Sequence, residues 1–170
     1  MTATPSPEVW LRGPVDGIAA VLQPVAHALL AAREDIDTYA PGTGTDVLWT
    51  QRGAASAAFH VLHMAGALDR LFTYARGEAL NDAQKASLRF ESQPHPEMDG
   101  AALAQHLAAA VDAGLAQLRA TDPDRLLDDR KVGRAGLPSN VLGLLFHAAE
   151  HTTRHAGQFI TTVKLLPQSV

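Results

Sequence analysis

Apolar residues recur at helical spacing along four long stretches of this chain, and nowhere does apolar/polar alternation run far enough to indicate a strand. From Val15 to about Tyr39, Ile18, Val21, Leu22, Val25, Leu29 and Ile36 keep the three-and-four spacing of an amphipathic helix. Pro24 falls inside that stretch and is expected to kink or interrupt it. The glycines and proline of PGTGTD (41–46) mark a loop. A second helix is predicted over about Gln51–Arg76, stopping at Gly77; its segment AASAAFHVLHMAGALDRLF is apolar on nearly every face, as in a buried helix. A third covers about Met98–Ala120, with Leu103, Leu107, Val111, Leu115 and Leu118 along one face. The fourth is capped by Ser139 or Asn140, with Pro138 just outside, and runs to about Leu166.

Between the long helices, 77–98 holds at most a helical turn near Asp82–Leu88 before the two prolines of SQPHPEMD, and 121–140 reads as a charged connection. Residues 1–14, with Pro5, Pro7, Gly13 and Pro14, form an irregular lead-in with an apolar tag at Trp10 and Leu11. The pattern predicts an all-α chain, one four-helix-bundle domain over 1–170, with connections at 77–98 and 121–139 long enough for crossovers. At 170 residues and 46% hydrophobic, such a domain needs no disulfide to hold its core. The absence of cysteine removes disulfides, thiolate metal sites and cysteine nucleophiles together. A net charge of −4 without a basic cluster argues against nucleic acid as a partner. No apolar run approaches the ~20 residues of a membrane span. MTATPSPEVW lacks the features of a secretory signal, so a cytoplasmic location is expected.

Eight histidines change the picture more than composition does. Three stand at every fourth residue in FHAAEHTTRHAGQ: His147, His151 and His155. Leu142, Leu145, Ala149, Ala156, Phe159, Val163 and Leu166 set the core direction of this helix. On a wheel, His155 lies roughly 80° and His151 roughly 120° from that direction, and His147 about 160° away. Residues four apart rise ~6 Å, close enough for two imidazoles to converge on one ion, whereas eight apart rise ~12 Å. His151 and His155 are therefore the favoured pair. A third ligand is expected from a facing helix, because bundle metal sites are built that way. FHVLHMAG offers His60 and His63, and the wheel does not choose between them: either can be a buried, hydrogen-bonded structural histidine, or one is a ligand while the other supports it or lies at the surface. His27, His95 and His106 read as structural or solvent-facing.

With His63-Met64-Ala65 on one apolar helix and His151-x-x-x-His155-x-x-Gln158 on the last, the chain resembles the DinB/YfiT-like superfamily of four-helix metalloproteins. The order of elements agrees over nearly the whole chain. The resemblance implies that His63, His151 and His155 are the three metal ligands, with His63 selected over His60. In the branch similar to mycothiol-dependent maleylpyruvate isomerase, a glutamate replaces the first histidine of the last-helix pair. Here that position is His151, with Glu150 beside it, so the chain is similar to the three-histidine type. A homodimer is also implied.

Three imidazoles without a thiolate suit zinc, nickel, iron or manganese as a single divalent ion, and they leave positions open for water or substrate. Such an ion can lower the pKa of a coordinated water toward ~7 or activate a bound thiol. The resemblance therefore implies either a metal-dependent hydrolase or a thiol S-transferase using a low-molecular-weight thiol, acting on a small molecule. A metal-binding or stress-associated bundle without catalysis is the alternative. Gln158 is a candidate to orient a ligand or water, and Thr162 continues its stripe. Asp69 and Arg70 suggest an interhelical ion pair before a substrate contact, with Tyr74 and Arg76 read in the same way. VGRAGLPSN (132–140) is a candidate lining of the pocket. No Walker-type loop and no G-x-S-x-G occur, so phosphate cradling and covalent serine catalysis have no support.

Overall fold

A computed structural model describes residues 6–166 of the chain. Six α-helices follow one another: α1 (Gln23–Tyr39), α2 (Thr45–Trp49), α3 (Ala57–Ala75), α4 (Asp82–Glu91), α5 (Gly100–Ala120) and α6 (Val141–Leu165). A short antiparallel hairpin, β1 (Asp129–Val132) and β2 (Leu137–Asn140), precedes α6. The long helices α1, α3, α5 and α6 form the bundle. α6 packs against both α3 and α1, and α5 packs against the same two from the other side. Consecutive members α1 and α3 thus lie diagonally, as do α5 and α6. The crossovers therefore use 40–56 and 121–140. The 77–99 connection, though long enough for a crossover, joins the neighbouring helices α3 and α5, and α4 lies against α3 within it.

Local chemistry sets the helix ends. Pro24 does not kink a helix already under way; it sits in the first turn of α1, where its missing N–H is not needed. Residues 15–22 belong instead to a lead-in with a single 3₁₀ turn at Ala20–Leu22. Gln23 holds that lead-in, accepting from Val15 N at 2.7 Å and donating to Ile18 O at 2.8 Å. The second long helix starts six residues later than its pattern suggested, because the Ser56 hydroxyl accepts from Phe59 N at 3.2 Å and fixes the first turn there. Gly77, at φ +82°, ends it in the left-handed conformation that favours glycine. Of the two candidate caps for α6, Asn140 acts, accepting from Gly143 N at 2.7 Å. A reciprocal cap between Asn81 and Gln84 extends the expected turn at 82–88 into α4, which reaches Glu91.

Leu29 and Ile36 of α1, Leu62 and Leu68 of α3, Leu103, Leu107 and Leu118 of α5, and Leu145 and Phe159 of α6 are all fully buried. Burial of each such side chain contributes ~1.5–3 kcal/mol relative to exposure. In the lead-in, Val9 is the buried residue, whereas the expected tag residues Trp10 and Leu11 are exposed. Lead-in residues 1–5 lie outside the described part. The hairpin was not expected from the sequence: its strands have four residues each and show no long alternation. Arg130 of β1 donates to Ala75 O at 2.7 Å, which seats the hairpin on the C-terminal end of α3. Among the described residues, no helix is long and apolar enough to cross a membrane.

Candidate metal centre

α3 and α6 run antiparallel, and their facing sides carry four histidines. His63 Nε2 lies 3.0 Å from His151 Nε2, and His60 Nδ1 lies 3.0 Å from His155 Nδ1. The number rises along one helix as it falls along the other, so the two contacts form adjacent rungs one turn apart. One ring nitrogen each from His63, His151 and His155 lies within 4.8 Å of the others. All three are half-buried, so the cluster sits at the edge of the core rather than within it. His147 is exposed and pairs with Glu150 at 2.7 Å instead. His151 and His155 stand closer to the interior than the wheel indicated, because Leu144, Ala148 and Thr152 are buried too and widen the core face of α6.

His60 and His63, which the helical pattern left undivided, occupy different places. His60 is buried, and its ring approaches only His155 within the cluster by hydrogen bonding. His63 faces His151, and its other nitrogen, Nδ1, is 2.9 Å from Glu91 Oε2 of α4. An ionised carboxylate can only accept, so His63 Nδ1 carries the proton and Nε2 presents its lone pair to the cluster. Phe59 stacks against the His63 ring, with centroids 5.2 Å apart and planes 9° from parallel, and covers one of its faces.

Burial lowers the pKa of His60, His151 and His155, and neighbouring histidines lower each further; His155 is brought down to about 4. These rings are therefore neutral at ordinary pH and have lone pairs available to a cation. Burial opposes ionisation of Glu91, but hydrogen bonds from His63 and Arg70 outweigh it and hold the carboxyl below its usual range. The donor set fits a divalent ion. Tetrahedral nitrogen ligands around zinc stand about 3.3 Å apart, near the 3.0 Å between His63 Nε2 and His151 Nε2. His151 Nδ1 is buried with no hydrogen-bond partner among the described residues, so this ring has no other polar anchor.

Other candidates fall outside the cluster. Gln158 is exposed and makes no hydrogen bond to the histidines. Arg70 does form an interhelical ion pair, with Glu91, while Asp69 beside it is exposed. Arg76 pairs with Glu78 at 2.8 Å, and Tyr74 lines a hollow of about 760 Å³ with Leu80, Lys131 and Arg134. That hollow and the hairpin segment 132–140 lie at the far end of α3, about 18 Å along the helix from His63, so VGRAGLPSN does not line the histidine cluster. A second hollow, about 860 Å³, runs beside Trp10, Gln23, His27 and Asp35 and also excludes the cluster histidines. His27 Nε2 is 3.0 Å from Gly13 O, His95 stacks on Phe90, and His106 is exposed.

Glu91, which contacts His63, is the residue of this candidate site that sequence reasoning missed. It lies beyond the turn expected at 82–88, where a single carboxylate has no periodic signal. The asparagine cap at Asn81 with Gln84 three residues on was the legible sign of a longer helix.

The bundle and its histidine cluster define a class of helical protein with a candidate metal centre between two antiparallel helices. The DinB superfamily matches residues 6–159, and the chain belongs to it. A crystal structure described as the conserved protein of locus from Enterococcus faecalis shares the fold. It has a TM-score of 0.69 at 20% identity, with 86% of this chain and 97% of that one covered. No curated protein matches the chain.

Proposed function

We propose that His63, His151 and His155 hold one divalent metal ion and that the chain is a metal-dependent hydrolase or thiol S-transferase acting on a small molecule. The observation that carries this reading is the convergence of three ring nitrogens from two helices within 4.8 Å. Their ring nitrogens supply the donor set that zinc, nickel, iron or manganese accepts. An ion bound there supplies Lewis acidity toward a water or a thiol. Three protein ligands leave room on it for that group. The chain's own residues set the geometry: Phe59 covers one face of His63, and His60 Nδ1 meets His155 Nδ1. Of the two reaction types, the thiol route requires a low-molecular-weight thiol as co-substrate.

A non-catalytic metal-binding bundle is the second reading. It is favoured by one observation: none of the cluster histidines lines the hollows of about 860 and 760 Å³. Turnover separates the two. Metal-loaded protein is assayed against thiol conjugations and a panel of amides and esters. Activity that disappears in His155→Ala supports the enzyme; a metal-loaded protein silent across the panel supports the binding role.

A further inference from the structure

Glu91 is 4% exposed, a rare condition for a carboxylate, and the residues around it account for its charge. Both terminal guanidinium nitrogens of buried Arg70 reach it: Nη1 bonds Oε1, and Nη2 donates to Oε2 at 3.2 Å. The Ser87 hydroxyl approaches Oε1 at 3.4 Å and also receives a bond from Arg70 at 3.0 Å. Oε2 additionally accepts from His63 Nδ1 at 2.9 Å. Glycine at residue 66 lets the carboxylate sit where it does: a Cβ there would overlap Glu91 Oε1, crowd Arg70 Nη1 and force both to shift. Gly66 stands three residues after His63 and four before Arg70, on the strip of α3 that meets α4. His63, Gly66 and Arg70 thus form one face shaped around a single side chain of α4.

An ion pair serving stability alone would not need to engage the histidine, and a buried pair is often no more stable than an apolar replacement. Here the carboxylate contacts the ring on the side away from the cluster. From there it selects the tautomer whose Nε2 lone pair faces His151. We infer that Glu91 is the positioning residue of His63, locked by Arg70 and admitted by Gly66, and that α4 thereby sets the metal affinity of the centre. The inference rests on the metal reading above. Hydrogen-bonded partners behind ligating histidines typically change metal affinity 10–100-fold.

The test uses the full chain and zinc alone. Arg70→Met/Glu91→Leu removes the acceptor without leaving a buried charge, Glu91→Gln keeps an acceptor oxygen, and Gly66→Ala displaces the carboxylate from α3. Folding is checked by circular dichroism, zinc affinity by competition with a chromophoric chelator, and the His63 tautomer by long-range ¹H–¹⁵N NMR on metal-free protein. The expected result is a wild type with His63 protonated at Nδ1. Zinc binding should weaken about 10–100-fold in the double variant and in Gly66→Ala, and less in Glu91→Gln. His63 should lose its Nδ1–H preference in the double variant. If that variant does not fold, Gly66→Ala and Glu91→Gln decide by the same readouts. Folded variants that keep the wild-type tautomer and bind zinc within about twofold of wild type would overturn the inference while leaving the metal reading intact. A wild type that binds no zinc would overturn the metal reading and, with it, the claim on affinity; the tautomer measurement would still decide whether Glu91 orients His63.

Discussion

Two seams of the same bundle are built to different ends. Between α1 and α5, Leu29 packs against Gly114, and the polar contact, Arg33 to Asp112 at 2.9 Å, stays at the surface. Between α3 and α6, four histidines meet at the edge of the core, and behind them a carboxylate and a guanidinium are buried where α4 meets α3. The first seam satisfies the ordinary rule that apolar atoms go in and charges stay out. The second departs from it, and such departures are where function is expected. Stability and metal binding should accordingly respond to different substitutions.

The largest separation is expected from removing a ligand. His151→Ala should abolish stoichiometric binding of a divalent ion while leaving metal-free stability within about 1–2 kcal/mol, since the deleted ring has an unpartnered nitrogen. Metal analysis and chemical denaturation read the two effects. On the apolar seam the opposite should hold: Leu29→Ala, at a fully buried site, should cost about 2–5 kcal/mol in denaturation yet leave metal affinity unchanged per folded molecule.

How far this contrast could be read in advance differs between the seams. The apolar seam was legible, because Leu29 with Ile36, and Leu107 with Val111, repeat at helical spacing. In the polar seam, His151 and His155 stood out by their spacing, but the helical pattern could not separate His60 from His63; only the family resemblance selected His63. Each lies on a helix apolar all round, and their roles depend on the antiparallel register with α6 and on Glu91. That residue comes from α4, which contributes nothing to the four-helix pattern. The diagonal placement of α1 and α3 was hidden for a related reason. It depends on how 40–56 crosses the bundle, and periodicity within a helix carries no information about its neighbours.

Acidification should weaken the polar seam first. His155 has a folded pKa of about 4, below the ordinary ~6.5 of the unfolded chain. Between those values the unfolded state binds more protons, so metal-free stability is complete above about pH 6.5 and falls as pH drops toward 4. The lowered carboxyl of Glu91 acts in the same direction, its contribution being lost as pH falls through its depressed folded value. The histidine loss should be on the order of 1–2 kcal/mol after solvent screening of a half-buried ring, measured as denaturation midpoints at pH 7 and pH 5, and Glu91 should add to it only below about pH 4.5. Leu29→Ala should show the same pH slope as wild type, since the apolar seam does not titrate there. The smallest effect belongs to the surface pair: Arg33→Ala should change stability by under about 1 kcal/mol and become undetectable at high salt.

The direct test of the central claim is a cobalt titration of the metal-free chain followed by visible absorption. The account predicts saturation at one ion per chain with the ligand-field bands of nitrogen coordination. The signal should be retained in His147→Ala and lost in His63→Ala, His151→Ala and His155→Ala. A wild type that never saturates at one equivalent, or a signal that survives His63→Ala but disappears in His147→Ala, would contradict it.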